Sequence, residues 1–134
     1  ATGRLYERVA VRAGFRCEYC KAPEWIVNHR FEMDHILPRQ FGGSTTLGNL
    51  ALACRACNRA KSDQLGLIDP DLGYPIWLFH PRIDEWDSHF VIDLVTGRID
   101  GRTEKGIVAV EVLRMNTVRA LIARQQWILF GLLS

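Results

Sequence analysis

The chain has 134 residues, a length that fits a single domain with a modest core. Its formal net charge is +2. Hydrophobic and charged fractions of 48% and 24% are typical of a globular protein and argue against a disordered or fibrous one. No apolar run is long enough to cross a bilayer and no signal peptide is visible, so we expect a cytoplasmic, reducing location and no membrane partner.

The charge is unevenly distributed along the chain. Residues 1–66 carry ten Lys/Arg against six Asp/Glu, whereas residues 67–134 carry seven against nine. A basic first half fits a polyanionic partner such as nucleic acid, although many solvated surfaces are equally basic.

The first half of the chain has the pattern of a helix followed by a ββα unit. An amphipathic helix is expected over 4–13. Alternating apolar and polar residues over 31–36 predict a strand, and 50–53 predicts a second, short apolar strand. Residues 54–64 are expected to begin with a turn and to continue as a helix.

The second half begins with residues 65–82, whose Gly and Pro content predicts an irregular segment. A hairpin is expected from strands at 89–95 and 98–102. Two helices are expected over 103–114 and 116–130, each capped by its first residue.

These elements together predict an α+β fold. No internal repeat or flexible linker separates the two halves, so we expect one domain over 1–134. Its core would be residues 1–66, and residues 67–134 would form an extension packed on that core.

Four cysteines form two Cys-x-x-Cys corners: Cys17, Cys20, Cys54 and Cys57. Two such corners are the usual halves of a tetrahedral zinc site, and four thiolates leave zinc no open position, so the ion would be structural. The alternative is a pair of disulfides in a secreted protein. The regular spacing and the absence of a visible signal peptide favour zinc.

Four polar residues near these corners suggest chemistry: Asp34, His35, Asn49 and Asn58. Hydrolysis of a phosphodiester needs an activated water and stabilisation of the charge on the leaving oxygen. A histidine can accept the proton of the water, and a cation held by a carboxylate can stabilise the leaving oxygen. An Asp-His pair alone is weak support, because most histidines are structural or solvated.

Several motifs agree in order and spacing: Cys17-x-x-Cys20, Met33-Asp-His-Ile-x-Pro38, Gly42-Gly43, Asn49-Leu50 and Cys54-x-x-Cys57-Asn58-x-x-Lys61. Over about residues 15–63 they resemble an HNH endonuclease of the four-cysteine, ββα-metal type. The resemblance implies one structural Zn²⁺ and metal-dependent cleavage of DNA, with double-stranded DNA as the expected substrate. The runner-up is a catalytically silent zinc-ribbon module that binds nucleic acid or protein.

The resemblance also implies a role for each motif residue. His35 would be the general base, and Asn49 would brace the catalytic loop and orient His35. Asp34 and Asn58 would hold a divalent cation, which makes this chain an H-N-N variant. An amide oxygen suits harder ions, so Mg²⁺ or Mn²⁺ is expected, with Ni²⁺ or another ion as a further candidate. Adjacent strand residues point to opposite faces, so Asp34 and His35 can share a site only if the strand ends or twists there.

Four basic residues surround the motifs and are candidate DNA contacts: Arg39, Arg55, Arg59 and Lys61. Arg55 and Arg59 lie one helical turn apart and would share a side of the predicted helix. Contacts of this kind bind phosphates and position DNA without reading its sequence. The alternatives are a solvated helix face and, for Lys61, structural packing or pairing.

Overall fold

The computed structural model describes residues 2–69 and 71–133. It divides into two compact units. Unit 1 comprises Ala1–Asp63 and His80–Ile83, and unit 2 comprises Gln64–Phe79 and Asp84–Ser134. The single-domain organisation expected from the sequence stays a prediction. In the part of the chain that is described, no helix has both the length and the apolar character needed to span a membrane.

Among its described residues, unit 1 contains two α-helices and two strands: α1 (Thr2–Arg12), β1 (Glu32–His35), β2 (Leu50–Ala53) and α2 (Arg55–Lys61). Strands β1 and β2 pair antiparallel, with His35 opposite Leu50. Every residue of β2 is buried, which places this strand at the centre of the unit. The predicted ββα order is therefore present.

Helix α2 ends at Lys61, three residues before the predicted end. Ser62 follows with a φ of 49°. This positive φ cannot continue a right-handed α-helix, so α2 ends there.

The part of unit 2 that the structure describes contains four strands and three α-helices: β3 (Gly66–Asp69), β4 (Tyr74–Trp77), α3 (Trp86–His89), β5 (Phe90–Ile92), β6 (Ile99–Gly101), α4 (Glu104–Val112) and α5 (Val118–Leu129). The strands form two antiparallel hairpins, β3–β4 and β5–β6. The second hairpin and the last two helices were expected from the sequence. The mixture of helices and small antiparallel sheets confirms the α+β class.

Two expectations for unit 2 are wrong. The segment 65–82 was expected to be irregular, yet it holds the β3–β4 hairpin; Gly73 makes its turn with a φ of 73°, and Pro75 lies in β4 without disrupting the pairing. The cap of α5 is Thr117, whose hydroxyl accepts from the amide of Ala120. Asn116 instead uses its side-chain amide to pair with the backbone of β6.

Candidate functional site

The four cysteines meet in unit 1 as one sulfur cluster. All four Sγ atoms lie within 4.8 Å of one another, and those of Cys20 and Cys54 are 3.7 Å apart. A tetrahedral zinc with bonds of about 2.3 Å would place its sulfurs about 3.8 Å apart. The donor set and its spacing therefore fit a structural zinc.

A backbone amide donates to a cysteine sulfur in each of the two corners. The amide of Cys20 donates to Cys17 Sγ at 3.5 Å, and the amide of Cys57 donates to Cys54 Sγ at 3.4 Å. Hydrogen bonds from the other thiols lower the pKa of Cys54, whereas hydrogen bonding to Cys17 raises those of Cys20 and Cys57. Crowded thiolates repel one another, so a cation is needed to hold all four in the ionised form.

Asp34 lies at the third position of β1 and is buried, with 4% of its side chain exposed. Its Oδ2 accepts a hydrogen bond of 2.6 Å from the hydroxyl of Tyr19, and its Oδ1 lies 3.2 Å from Lys61 Nζ. Burial raises the pKa of the Asp34 carboxyl, although Lys61 and Tyr19 act in the opposite direction. The predicted cation ligand is therefore already held on both oxygens.

The structure corrects the prediction that Lys61 contacts DNA. Its side chain is 2% exposed, and its ammonium donates to Asp34, to the backbone oxygen of His35 at 3.2 Å and to that of Ile36 at 3.3 Å. An ammonium has three N–H donors, and these three oxygens use all of them. Lys61 thus has the structural role that the sequence left open as the alternative.

His35 is the last residue of β1 and is half-buried. Its Nε2 lies 2.9 Å from Thr45 Oγ1, in the loop that follows the strand. The hydrogen-bond partners of Asp34 and His35 are thus different, as expected for neighbours that alternate across a strand. Asp34 faces the interior and His35 faces the loop.

Asn49 ties that loop together with three hydrogen bonds. Its Oδ1 accepts from the amide of Leu37 at 2.9 Å, and its Nδ2 donates to the backbone oxygens of Leu37 at 3.0 Å and Ser44 at 2.9 Å. These bonds join Asn49 to both ends of the segment 37–44, which follows His35 closely. Gly43 packs into the same turn so closely that a Cβ there would lie 1.7 Å from the oxygen of Leu37.

Asn58 is half-buried on α2, three residues before Lys61, so the two side chains share a helix face. The Nδ2 of Asn58 donates to Glu32 Oε1 on β1. Glu32 is also 3.6 Å from the guanidinium of Arg55, measured from Oε2 to Nε. Because Glu32 and Asp34 share a face of β1, the two predicted cation ligands, Asp34 and Asn58, lie on facing surfaces of β1 and α2.

The three remaining basic candidates are exposed: Arg39, Arg55 and Arg59. Arg39 begins a short 3-10 helix after Pro38, and the other two lie on α2. Their exposure leaves both the DNA-contact hypothesis and the solvated-face alternative open.

Comparison with known proteins bears directly on this arrangement. Residues 17–64 match the sequence model of the HNH endonuclease family. A stretch of 53 residues is 43% identical to a CRISPR-associated endonuclease Cas9 of Corynebacterium diphtheriae, covering 39% of this chain and 5% of that protein. No solved structure matches the chain significantly. The resemblance expected from the motifs is thereby confirmed over this segment, and both matches support a nuclease.

The sequence reasoning overlooked three residues that complete the site: Tyr19, Glu32 and Thr45. Glu32 was recoverable, because a residue two positions from Asp34 shares its strand face. Thr45 lies in a run of hydroxyl residues after Gly43, a weaker signal. Tyr19 carries no local signal, since its importance comes from a contact with Asp34 fifteen residues away.

Proposed function

We propose that this chain is the catalytic segment of a metal-dependent HNH endonuclease that hydrolyses phosphodiester bonds in double-stranded DNA. One observation carries the proposal: the segment that matches the family also holds a half-exposed histidine at a strand end, beside a loop braced by Asn49. The basic first half of the chain supports a polyanionic substrate.

His35 is proposed as the general base that takes a proton from the attacking water. Thr45 contacts the ring through Nε2. When the threonine hydroxyl accepts from Nε2–H, Nδ1 carries the lone pair and is the nitrogen that receives the proton. Asn49 acts through the loop, because it fixes the backbone on both sides of the residues that follow His35.

Asp34 and Asn58 are proposed to hold a divalent cation. Their carboxylate and amide oxygens fit a hard ion such as Mg²⁺ or Mn²⁺. When bound, such an ion supplies stabilisation of the charge that develops on the leaving oxygen. Lys61 already neutralises part of the charge on Asp34, so we expect the cation to bind weakly.

Arg39, Arg55 and Arg59 are proposed to contact DNA phosphates. Arginine suits this role because its guanidinium stays charged and offers several donors in one plane. Contacts of this type give affinity without sequence preference.

The proposal is tested by substituting His35 with Ala and measuring plasmid nicking in Mg²⁺ or Mn²⁺. Proton transfer by a positioned side chain contributes roughly a hundred- to ten-thousand-fold, so cleavage should fall by about that factor. The zinc content and most of the affinity for duplex DNA should remain. The matched control is His29→Ala, which removes an exposed histidine of the same unit and should leave the rate unchanged.

Nicking by a folded, zinc-loaded His35→Ala protein at the parental rate would show that His35 is not the base. If the parental protein binds duplex DNA but does not cut it with any divalent cation, the silent zinc-ribbon module is the better description.

A further inference from the structure

Three buried polar side chains from three different elements meet beneath the proposed site. Tyr19 comes from the first cysteine corner, Asp34 from β1 and Lys61 from α2, and their side chains are between 0% and 4% exposed. Groups of this polarity are buried at a cost unless each has a partner. Here each has one, because Tyr19 and Lys61 both donate to Asp34.

The carboxylate of Asp34 is held from two sides. Tyr19 donates its hydroxyl proton to Oδ2 at 2.6 Å, and Lys61 donates to Oδ1 at 3.2 Å. Two donors on different oxygens fix the rotation of the carboxylate as well as its position. A ligand that is oriented in advance loses less conformational entropy when it binds a cation.

Tyr19 is itself fixed by the cysteine corner. It lies between Cys17 and Cys20, and its ring is fully buried. The neighbouring Glu18 joins the corner to β2, because its amide donates to the oxygen of Leu52 at 2.8 Å and its carboxylate accepts from the amide of Leu52. The phenol therefore has one position relative to the strand pair that carries Asp34.

We propose that Tyr19 is a positioning residue that orients the Asp34 carboxylate for cation binding and links the zinc corner to the proposed catalytic strand. The inference rests on the proposed function and deepens it, because it gives the structural zinc a role in the site as well as in the fold. A disturbed corner would move the phenol, and the carboxylate would lose one of its two fixed contacts.

Tyr19→Phe tests this, because it removes only the hydroxyl. Tyr6→Phe is the matched control: Tyr6 also donates its hydroxyl to a carboxylate in unit 1, that of Glu24, away from Asp34. Both variants are studied as zinc-loaded full chains without chelator. Mn²⁺ binding is followed by electron paramagnetic resonance, alongside zinc content, thermal unfolding and duplex affinity.

Loss of a hydrogen-bond partner behind a metal ligand typically weakens metal binding or activity by about 10- to 100-fold. We expect Tyr19→Phe to weaken Mn²⁺ binding by about that factor and to raise the Mn²⁺ concentration needed for half-maximal nicking. Zinc content and duplex affinity should stay at the parental level. Tyr6→Phe should leave Mn²⁺ binding unchanged even if it lowers the unfolding temperature as much.

Equal Mn²⁺ binding by Tyr19→Phe and Tyr6→Phe would overturn the inference and would leave the proposed function standing. The proposed function fails on a different result, unchanged nicking by His35→Ala. The two failures are therefore distinguishable.

Discussion

Units 1 and 2 bury charge in different ways. Unit 1 encloses an ion pair, Lys61 with Asp34, in which removal of either partner leaves the other charge uncompensated. Unit 2 encloses Arg124, whose guanidinium donates to the backbone oxygens of Gly97 at 2.6 Å and Met115 at 2.7 Å. The described contacts of the buried cation thus include an anion in unit 1 and backbone carbonyls in unit 2.

The apolar interiors differ as well. Unit 2 packs Phe79 against Phe90 in an edge-to-face arrangement at 5.2 Å between ring centroids, and it contains no cysteine. Unit 1 holds all four cysteines around a short, fully buried strand. We therefore expect the stability of unit 1 to depend on a metal and on paired charges close to its proposed site, and that of unit 2 to depend more on apolar packing.

Cys54→Ser should have the largest effect. It tests whether unit 1 depends on a metal for its stability and unit 2 does not. Structural zinc contributes about 10–16 kcal/mol of apparent binding energy, as much as the whole stability of a typical domain. We expect loss of zinc and of amide hydrogen-exchange protection throughout unit 1, while the amides of α4 and α5 stay protected. If protection is lost in both units together, the chain folds as the single domain expected from its sequence, and the comparison fails.

Replacing each buried cation by Met should separate the two kinds of buried charge. Lys61→Met leaves an uncompensated carboxylate, which typically costs about 3–5 kcal/mol of the free energy of unfolding. Arg124→Met leaves carbonyls without a partner, at about 1–3 kcal/mol each. The expected losses of unfolding free energy overlap for the two variants, so the pH dependence of stability separates them better.

The free energy of unfolding of the two variants should depend on pH in different ways. Lys61 lowers the pKa of Asp34 against the raising effect of burial, so Lys61→Met should raise that pKa further. A carboxyl whose folded pKa lies above its unfolded value loses stability as pH rises through the interval between the two. Urea unfolding should therefore show a deficit for Lys61→Met that grows as pH rises above about 4, the usual pKa of an aspartate in an unfolded chain, and no such growth for Arg124→Met. A deficit for Lys61→Met that stays constant with pH would mean that Asp34 is equally ionised in the folded and unfolded states of the variant.

Gly43→Ala and Gly106→Ala introduce a similar backbone clash in each unit. An added Cβ would lie 1.7 Å from the oxygen of Leu37 in the first case and 2.1 Å from that of His89 in the second. Each should cost about 1–3 kcal/mol, the usual range for overpacking. Only Gly43→Ala should also slow nicking, because it disturbs the loop that Asn49 braces.

The control for that comparison is Gly48→Ala, where an added Cβ meets nothing within 4 Å. It should change neither stability nor rate appreciably. Equal loss of nicking in Gly43→Ala and Gly106→Ala, measured where both are folded, would show that the loop has no special part in the reaction.

Local patterns predicted much of unit 1 and less of unit 2. The strand over 50–53 and the two cysteine corners follow from apolar runs and regular spacing, which are properties of neighbouring residues. The β3–β4 hairpin was missed because its Gly and Pro residues lower strand propensity, and only cross-strand pairing compensates. Asn116 was misjudged for a similar reason: its side chain pairs with Ile99, seventeen residues away, instead of capping a helix.

The same limit applies to the site. Spacing brought Asp34, His35, Asn49 and Asn58 to attention. The alternation of strand faces left open whether Asp34 and His35 could share a site, and in the structure their hydrogen-bond partners are different. No local pattern indicates that Lys61 is buried, because a lysine beside an exposed arginine on a short helix is usually solvated. Its burial is a consequence of tertiary contacts with β1.

The smallest expected effect concerns the surface of the two units. Arg55→Ala with Arg59→Ala removes two exposed arginines one helical turn apart in unit 1. Arg98→Ala with Arg119→Ala removes two exposed arginines in unit 2 and changes the net charge by the same amount. Each lost phosphate contact should reduce the salt dependence of duplex affinity by about one unit of slope, so the first pair should reduce it by about two. The second pair should leave the slope unchanged, because general attraction by net charge involves no released counterion at a specific contact. If both double variants shift the slope equally, Arg55 and Arg59 belong to a solvated helix face, and DNA contacts must be sought elsewhere in the basic half of the chain.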